Sequence, residues 1–366
     1  MKVTFPHMGY MWVCLKAMLE YLDVEVVVPP PTSKKTLTLG TKHASEFACL
    51  PLKLNLGNFI EAYELGAEAI LMAGGCGPCR FGYYAYVQKE ILNDLQYNYN
   101  LIVLEPPEKH ISEFLIKVKQ LTGSKSWYQV IKAIRFGYLK AKAVDEMEKI
   151  SLKSRPRELN TGSTDLAFKL ALAEIDRAGT TDDLAVALVK AREIMSSVIL
   201  DNHRSVIKIG LVGEIYTLLD PFSNQNIEKH LGKMGVEVDR SIYLSEWVND
   251  HLFMGLVKNV RSREEACRAS RPYLNHFVGG HGEETIGNTV LYAKNGYDGV
   301  IQLLPFTCMP EIVAQSILPG VCTDHNISVM SLILDEQSGE AGIITRLEAF
   351  VDLLNRKKEQ REAVTA

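Results

Sequence analysis

The residues Ala69-Ile-Leu-Met-Ala-Gly-Gly-Cys-Gly-Pro-Cys-Arg-Phe-Gly-Tyr-Tyr84 constrain this chain more than any other stretch. Ala69 to Ala73 is an apolar run that reads as a buried strand. Gly74 and Gly75 then break the strand and permit positive φ. Pro78 falls where a first helical residue would sit, and Tyr83, Tyr84, Val87 and Ile91 follow at helical spacing. This strand–turn–helix order puts Cys76 and Cys79 at or near a helix N-terminus. Unpaired N–H groups and the helix dipole stabilise thiolate there. Two thiolates three residues apart in such a turn either bind a metal or exchange disulfides.

The chain of 366 residues is long enough for two or three domains with full cores. A net charge of −4 gives no electrostatic reason to expect a nucleic-acid partner. No apolar run approaches the roughly 20 residues needed to span a membrane. The start, Met1 to His7, reads as a first strand, and Met11–Leu22 as an amphipathic helix rather than a signal peptide. Seven cysteines, an odd number in so large a chain, suit a reducing compartment better than a disulfide framework. The expectation is a cytoplasmic α/β protein.

Three regions follow from the order of patterns. Residues 1–107 alternate short strands and helices, as in a parallel-sheet domain, and Pro106-Pro107 ends its last strand. Within it, Thr32–Ser45 reads as a polar loop and Asn58–Leu65 as a short helix. Residues 108–204 carry apolar residues at i, i+3, i+4 and i+7 over Lys125–Leu152 and Asp165–Leu200, and so read as helical. Residues 205–366 return to strand–helix alternation. There Pro310–Leu318 is expected as a helix and Lys358–Ala366 as a frayed tail.

Three cysteines share one pattern. Cys49-Leu-Pro51, Cys76-Gly-Pro78 and Cys308-Met-Pro310 are each Cys-x-Pro at the hinge between an extended segment and a helix or turn. Proline starts the next helix and has no N–H of its own, so the cysteine stands at the helix mouth. In open α/β sheets such mouths lie at the carboxyl ends of strands, where ligands bind. Four thiols with one close pair suit an iron–sulfur cube with Cys49, Cys76, Cys79 and Cys308 as ligands. A zinc site, a Cys-Gly-Pro-Cys dithiol and inert thiols are the competing readings. Lys53 and Arg80 could offset thiolate charge or be surface cations. Glu214 could serve at a strand end or cap its turn, and His281 in Gly279-Gly-His-Gly282 could relay protons or begin a helix. Cys14 and Cys267 read as structural, and Cys322 as a conceivable further ligand. There is no Gly-x-x-x-x-Gly-Lys-Ser/Thr loop, strand-linked Gly-x-Gly-x-x-Gly or Gly-x-Ser-x-Gly elbow.

Several stretches, in order over nearly the whole chain, resemble the 2-hydroxyacyl-CoA dehydratase D-component superfamily, most closely its CoA protein activase or activase-related branch. They are Glu46-Phe-Ala-Cys-Leu-Pro-Leu-Lys-Leu-Asn-Leu-Gly-Asn58, Met72-Ala-Gly-Gly-Cys-Gly-Pro-Cys-Arg-Phe-Gly-Tyr83, Val212-Gly-Glu-Ile-Tyr216 with Asp220-Pro-Phe-Ser-Asn224, and Gly279-Gly-His-Gly282. Gly296-Tyr-Asp-Gly-Val300, Pro305-Phe-Thr-Cys-Met-Pro-Glu311, Asp335-Glu-Gln-Ser-Gly-Glu340 and Thr345-Arg-Leu-Glu-Ala-Phe350 complete the set. The resemblance implies Rossmann- or flavodoxin-like α/β domains, here on either side of the helical region read from periodicity, with an iron–sulfur cluster of 4Fe–4S or double-cubane type in the cleft between domains. It implies Cys49, Cys76 and Cys308 as ligands, with Cys79 as a further one. It also implies a dimer of like or related subunits and single electrons from an ATP-hydrolysing activator that carries its own cluster. In the dehydratases the electron forms a ketyl radical on a 2-hydroxyacyl thioester, whereas a double-cubane branch reduces small molecules. With no nucleotide-binding motif here, the expected role is the electron-accepting component. A non-catalytic cluster carrier and a thiol–disulfide oxidoreductase are the alternatives.

Overall fold

The computed structural model describes residues 1–75, 77–104, 111–123, 125–252 and 262–365. Cys76 and Pro106-Pro107 lie outside the described residues. The chain forms two compact units, Met1–Lys142 with Gly179–Thr181, and Ala143–Ala178 with Asp182–Ala366.

The first unit contains β1 (Lys2–Thr4), α1 (Met11–Glu20), β2 (Glu25–Val26), α2 (Lys34–His43), α3 (Leu50–Glu64), β3 (Ala69–Ala73), α4 (Tyr84–Asp94), β4 (Asn100–Leu104), α5 (Ile111–Thr122) and the start of α6 (Trp127–Ser154). Its strands are all parallel, in the order β2-β1-β3-β4. Both faces of β3 are buried. Ala69 and Leu71 pack with Val3, Phe5 and Ile102, while Ile70 and Met72 pack with Phe59, Ile60 and Val103. That explains why the strand reads as an unbroken apolar run rather than an alternating one.

The second unit takes the rest of α6, then α7 (Ser163–Arg177), α8 (Thr181–Ser196), β5 (Ile207–Gly213), α9 (Ile215–Leu219), α10 (Ile227–Lys233) and β6 (Val236–Arg240). It continues with α11 (Leu244–Leu252), α12 (Arg263–Ser270), α13 (Gly282–Lys294), β7 (Gly299–Pro305), α14 (Met309–His325), β8 (Ser328–Leu334) and α15 (Glu340–Thr365). The strand order β6-β5-β7-β8 is again fully parallel and repeats that of the first sheet. The protein is therefore α/β, with two four-stranded parallel sheets. A buried polar set ties the later part of α6 into this unit. Arg240, 1% exposed, pairs with Glu148 at 2.6 Å and Glu228 at 3.4 Å, and Asp145 accepts a hydrogen bond from the Ser245 N–H at 2.7 Å.

Local structure departs from expectation at several points. Thr32–Ser45 is not a loop. Ser33 and Thr36 form a reciprocal capping box that starts α2, and Thr36 Oγ1 donates to Glu61 in α3 at 2.6 Å. The helix expected at Asn58–Leu65 begins at Leu50 and runs 15 residues. Its residues Leu50–Ala62 are all buried, as an apolar helix inside a fold requires. Pro78 is not the first helical residue, because a short 3₁₀ turn, Arg80–Tyr83, precedes α4. Asp165–Leu200 divides into α7 and α8, α14 runs through Pro319 to His325, and α15 extends to Thr365. Among the described residues no helix is long and apolar enough to cross a membrane.

Candidate functional site

In the first unit, the segment before Cys49 and the turn carrying Cys79 meet at the carboxyl end of β3. Cys49 is the N-cap of α3, with Pro51 in the first turn, and caps it without a side-chain hydrogen bond. Its side chain is 8% exposed and belongs to the core that includes Leu52, Leu56 and Tyr84. Cys79 is the N-cap of the 3₁₀ turn and is half-buried. Two cations clasp the backbone ahead of Cys49. Lys53 Nζ donates to the Glu46 carbonyl at 3.0 Å, and Arg80 Nη1 donates to the Phe47 carbonyl at 3.0 Å. Lys53 is 2% exposed, so it is not a surface cation. The turn itself closes on glycine. A Cβ on Gly82 would stand 2.6 Å from the Gly75 carbonyl oxygen, so only a bare Cα lets the two ends of the Gly75–Gly82 segment approach this closely.

His7 follows β1 at this same sheet edge, and sequence reasoning missed it. It is 8% exposed, and its backbone N–H donates to Asn58 Oδ1 on α3 at 3.3 Å. Burial pulls its pKa down to about 4, so the imidazole is neutral at pH 7. Its only sequence signal is its place three residues after β1. A histidine beside an initial strand carries no local mark of its burial, however.

In the second unit, the ends of β5 and β7 and the start of α13 bring three of the expected residues to one sheet edge. Cys308 is the N-cap of α14, 8% exposed, with Pro310 in the first turn. The Gly279–Gly282 loop abuts that turn, since a Cβ on Gly282 would lie 2.5 Å from the Pro310 carbonyl oxygen. His281, carried by this loop, is the N-cap of α13 without a side-chain cap bond, and burial holds its imidazole below its ordinary pKa. Glu214 follows β5 and accepts the Tyr216 and Thr217 N–H groups at 3.0 Å each. Burial nevertheless raises its pKa above the usual carboxylate range.

Glu311, one turn into α14, was not singled out from the sequence. It is fully buried, accepts from Thr285 Oγ1 at 3.0 Å and Gln302 Nε2 at 2.9 Å, and has its pKa pushed up to about 8 by desolvation. It is therefore mostly a neutral carboxylic acid at pH 7, close behind Cys308. Glu214 adds to the rise through its own charge.

The remaining cysteines are elsewhere. Cys14 is buried on α1, and Cys267 lies on α12 with its pKa pushed up to about 12 by burial and then by Glu284. Cys322 sits in the last turns of α14, roughly 21 Å along the helix from Cys308 at 1.5 Å per residue. It cannot share a cluster with Cys308.

Cys49 and Cys308 are each mostly buried at the mouth of a helix, and Cys79 is half-buried at the mouth of a 3₁₀ turn, a donor chemistry that suits thiolate ligation. Among the described residues no three His, Cys, Asp or Glu side chains converge to hold a metal, and Cys76 lies outside them. No family model matches the chain, and no curated protein matches it.

Proposed function

We propose that this protein is an iron–sulfur redox component that accepts low-potential electrons from an ATP-hydrolysing activator and passes them to a small substrate or partner subunit. Cys49, Cys76 and Cys308 are the proposed cluster ligands, with Cys79 as a further one. Rossmann- or flavodoxin-like domains with the cluster held by cysteines of both units, a homodimer or a related heterodimer, and a cytoplasmic setting belong to the same reading. The observation that carries it is the shared geometry of Cys49 and Cys308, each a mostly buried N-cap of a proline-initiated helix. Helix N-termini favour the anionic thiolate that iron requires.

When bound, the cluster supplies one-electron transfer. The chain's own residues do the rest. Lys53 and Arg80 fix the backbone ahead of Cys49 and place positive charge near the thiolates. Glu311 holds a proton on its carboxyl one turn behind Cys308, and His281 offers a neutral imidazole from the adjoining loop. The lack of a phosphate-binding loop supports electron acceptance rather than ATP hydrolysis as this chain's part.

The test is anaerobic purification with iron and acid-labile sulfide analysis and electron paramagnetic resonance, repeated for Cys49→Ser, Cys76→Ser, Cys79→Ser and Cys308→Ser. The expected result is coloured protein whose iron falls by more than half in Cys49→Ser, Cys76→Ser and Cys308→Ser. Colourless oxygen-free protein, or full iron content in Cys308→Ser, overturns the reading. Air-stable, iron-free protein whose dithiol activity is lost with Cys76 or Cys79 would make it a thiol–disulfide oxidoreductase. A cluster that transfers intact to other proteins, with no turnover under a reduced activator, would make it a carrier.

A further inference from the structure

A cavity of about 400 Å³, counting the part open to solvent, lies in the second unit between α11, α12 and the start of α13. The polar groups on its wall are unevenly matched. Glu284, 6% exposed on α13, accepts from Arg263 Nε at 2.6 Å through Oε1, while its buried Oε2 has no hydrogen-bond partner among the described residues. A buried carboxylate oxygen without a donor costs on the order of 1–3 kcal/mol, which a donor from outside the chain would relieve. Glu246 and Asp250 line the same cavity. Glu246 is paired with Lys149, and Asp250 Oδ2 is taken by the Arg263 backbone N–H at 2.9 Å. The balance is three carboxylates (Glu246, Asp250, Glu284) against two cations (Lys149, Arg263), one negative charge in excess.

His281 also faces this cavity, and its ring makes no hydrogen bond among the described residues. Trp247 forms an aromatic wall, stacked on His251 with ring centroids 4.5 Å apart. A divalent cation is the wrong occupant, because no three metal-capable side chains converge among the described residues. An anionic ligand would meet the excess negative charge. What remains is a ligand that gives N–H donors and positive charge to Glu284 Oε2, is small enough for the cavity, and can lie on an indole face.

We propose that this cavity is a binding site for a small molecule bearing a primary ammonium group, held by Glu284 Oε2 with His281 and the Trp247 ring beside it. The site uses none of the cysteines and stands whether or not the chain carries a cluster.

The probe is ethanolamine, titrated calorimetrically into the whole purified protein at fixed ionic strength, with sodium acetate as the anionic control. Saturable binding of ethanolamine and none of acetate is expected. Glu284→Gln, which keeps the volume but removes the charge, should weaken ethanolamine binding at least tenfold. Should Glu284→Gln fail to fold, His281→Ala serves in its place, because His281 makes no cap bond to α13. It should weaken binding several-fold with unchanged circular dichroism. Equal response to acetate and ethanolamine, undiminished binding in the folded variant, or no saturable binding to the native protein overturns the proposal.

Discussion

The two units repeat one plan with opposite chemistry. Both sheets run second-first-third-fourth, and in both the third strand leads into Cys-x-Pro, at Cys76 after β3 and Cys308 after β7. A polar residue follows the first strand of each, His7 in the first unit and Glu214 in the second. The surroundings then diverge. The first unit aims buried Lys53 and exposed Arg80 at carbonyls ahead of Cys49. The second places buried Glu311 one turn behind Cys308, where it keeps its proton near neutral pH. A parallel sheet therefore fixes where a thiol stands, but not the electrostatics it meets, which come from side chains on helices distant in sequence.

The steepest test of the shared plan is the backbone approach that closes each cysteine turn. Gly82→Ala would put a Cβ 2.6 Å from the Gly75 carbonyl oxygen, and Gly282→Ala one 2.5 Å from that of Pro310. Neither neighbour is a flexible side-chain end. Gly282 lies between α13 and α14, both packed in the core, so its variant should lose about 3 kcal/mol of stability in urea unfolding. Gly75 is exposed and Gly82 only partly buried, so Gly82→Ala should lose about 1–2 kcal/mol. Equal, negligible losses would show that the turns are not held by these contacts.

The next test separates the units by pH. His7 has a folded pKa of about 4 against an ordinary 6.5, so the unfolded chain binds more protons between those values. The first unit's contribution is therefore complete above pH 6.5 and lost as pH falls toward 4. Glu311 runs the other way. Its folded pKa of about 8 stands above the ordinary 4.5, so the folded chain binds the extra proton. Stability from that proton is full below pH 4.5 and declines as pH rises toward 8. His7→Gln should flatten the acid limb of a stability–pH curve, and Glu311→Gln the alkaline limb, each by on the order of 2 kcal/mol. A Glu311→Gln curve that still falls between pH 5 and 8 would assign that limb to another group.

What the sequence disclosed follows the same division. The strands, the apolar β3 and the proline-started helix at Cys308 were legible because each is written in adjacent residues, whereas the helix opened by Cys49 was expected only from Asn58. Helix α2 was not, since Lys34-Lys-Thr-Leu-Thr-Leu-Gly-Thr-Lys-His43 is rich in threonine and lysine. It is held by the Ser33–Thr36 box and by Glu61, which lies 25 residues on from Thr36. Glu311 was illegible for a similar reason. An acid in a first turn reads as a partner for the helix dipole, whereas its burial is imposed by Thr285 and Gln302. Arg80 and Lys53 are legible as cations near thiols, but only the fold shows that both donate to backbone carbonyls.

The smallest effects discriminate between those two cations. Lys53 is buried, and Lys53→Met keeps its length while leaving the Glu46 carbonyl without this donor. A charged hydrogen bond lost in the core should cost about 1.5–3 kcal/mol, partly recovered by the apolar replacement, so a net loss near 1 kcal/mol is expected. Arg80 is exposed and its bond to Phe47 competes with water, so Arg80→Gln should cost less than about 0.5 kcal/mol. Both contacts hold adjacent carbonyls, Glu46 and Phe47, in the approach to Cys49. The sharper readout is alkylation of Cys49, which is shielded at 8% exposure. If the clasp keeps the thiol buried, Lys53→Met should speed its modification several-fold and Arg80→Gln by twofold or less. Reversed rates would mean that the exposed cation, not the buried one, holds the turn closed.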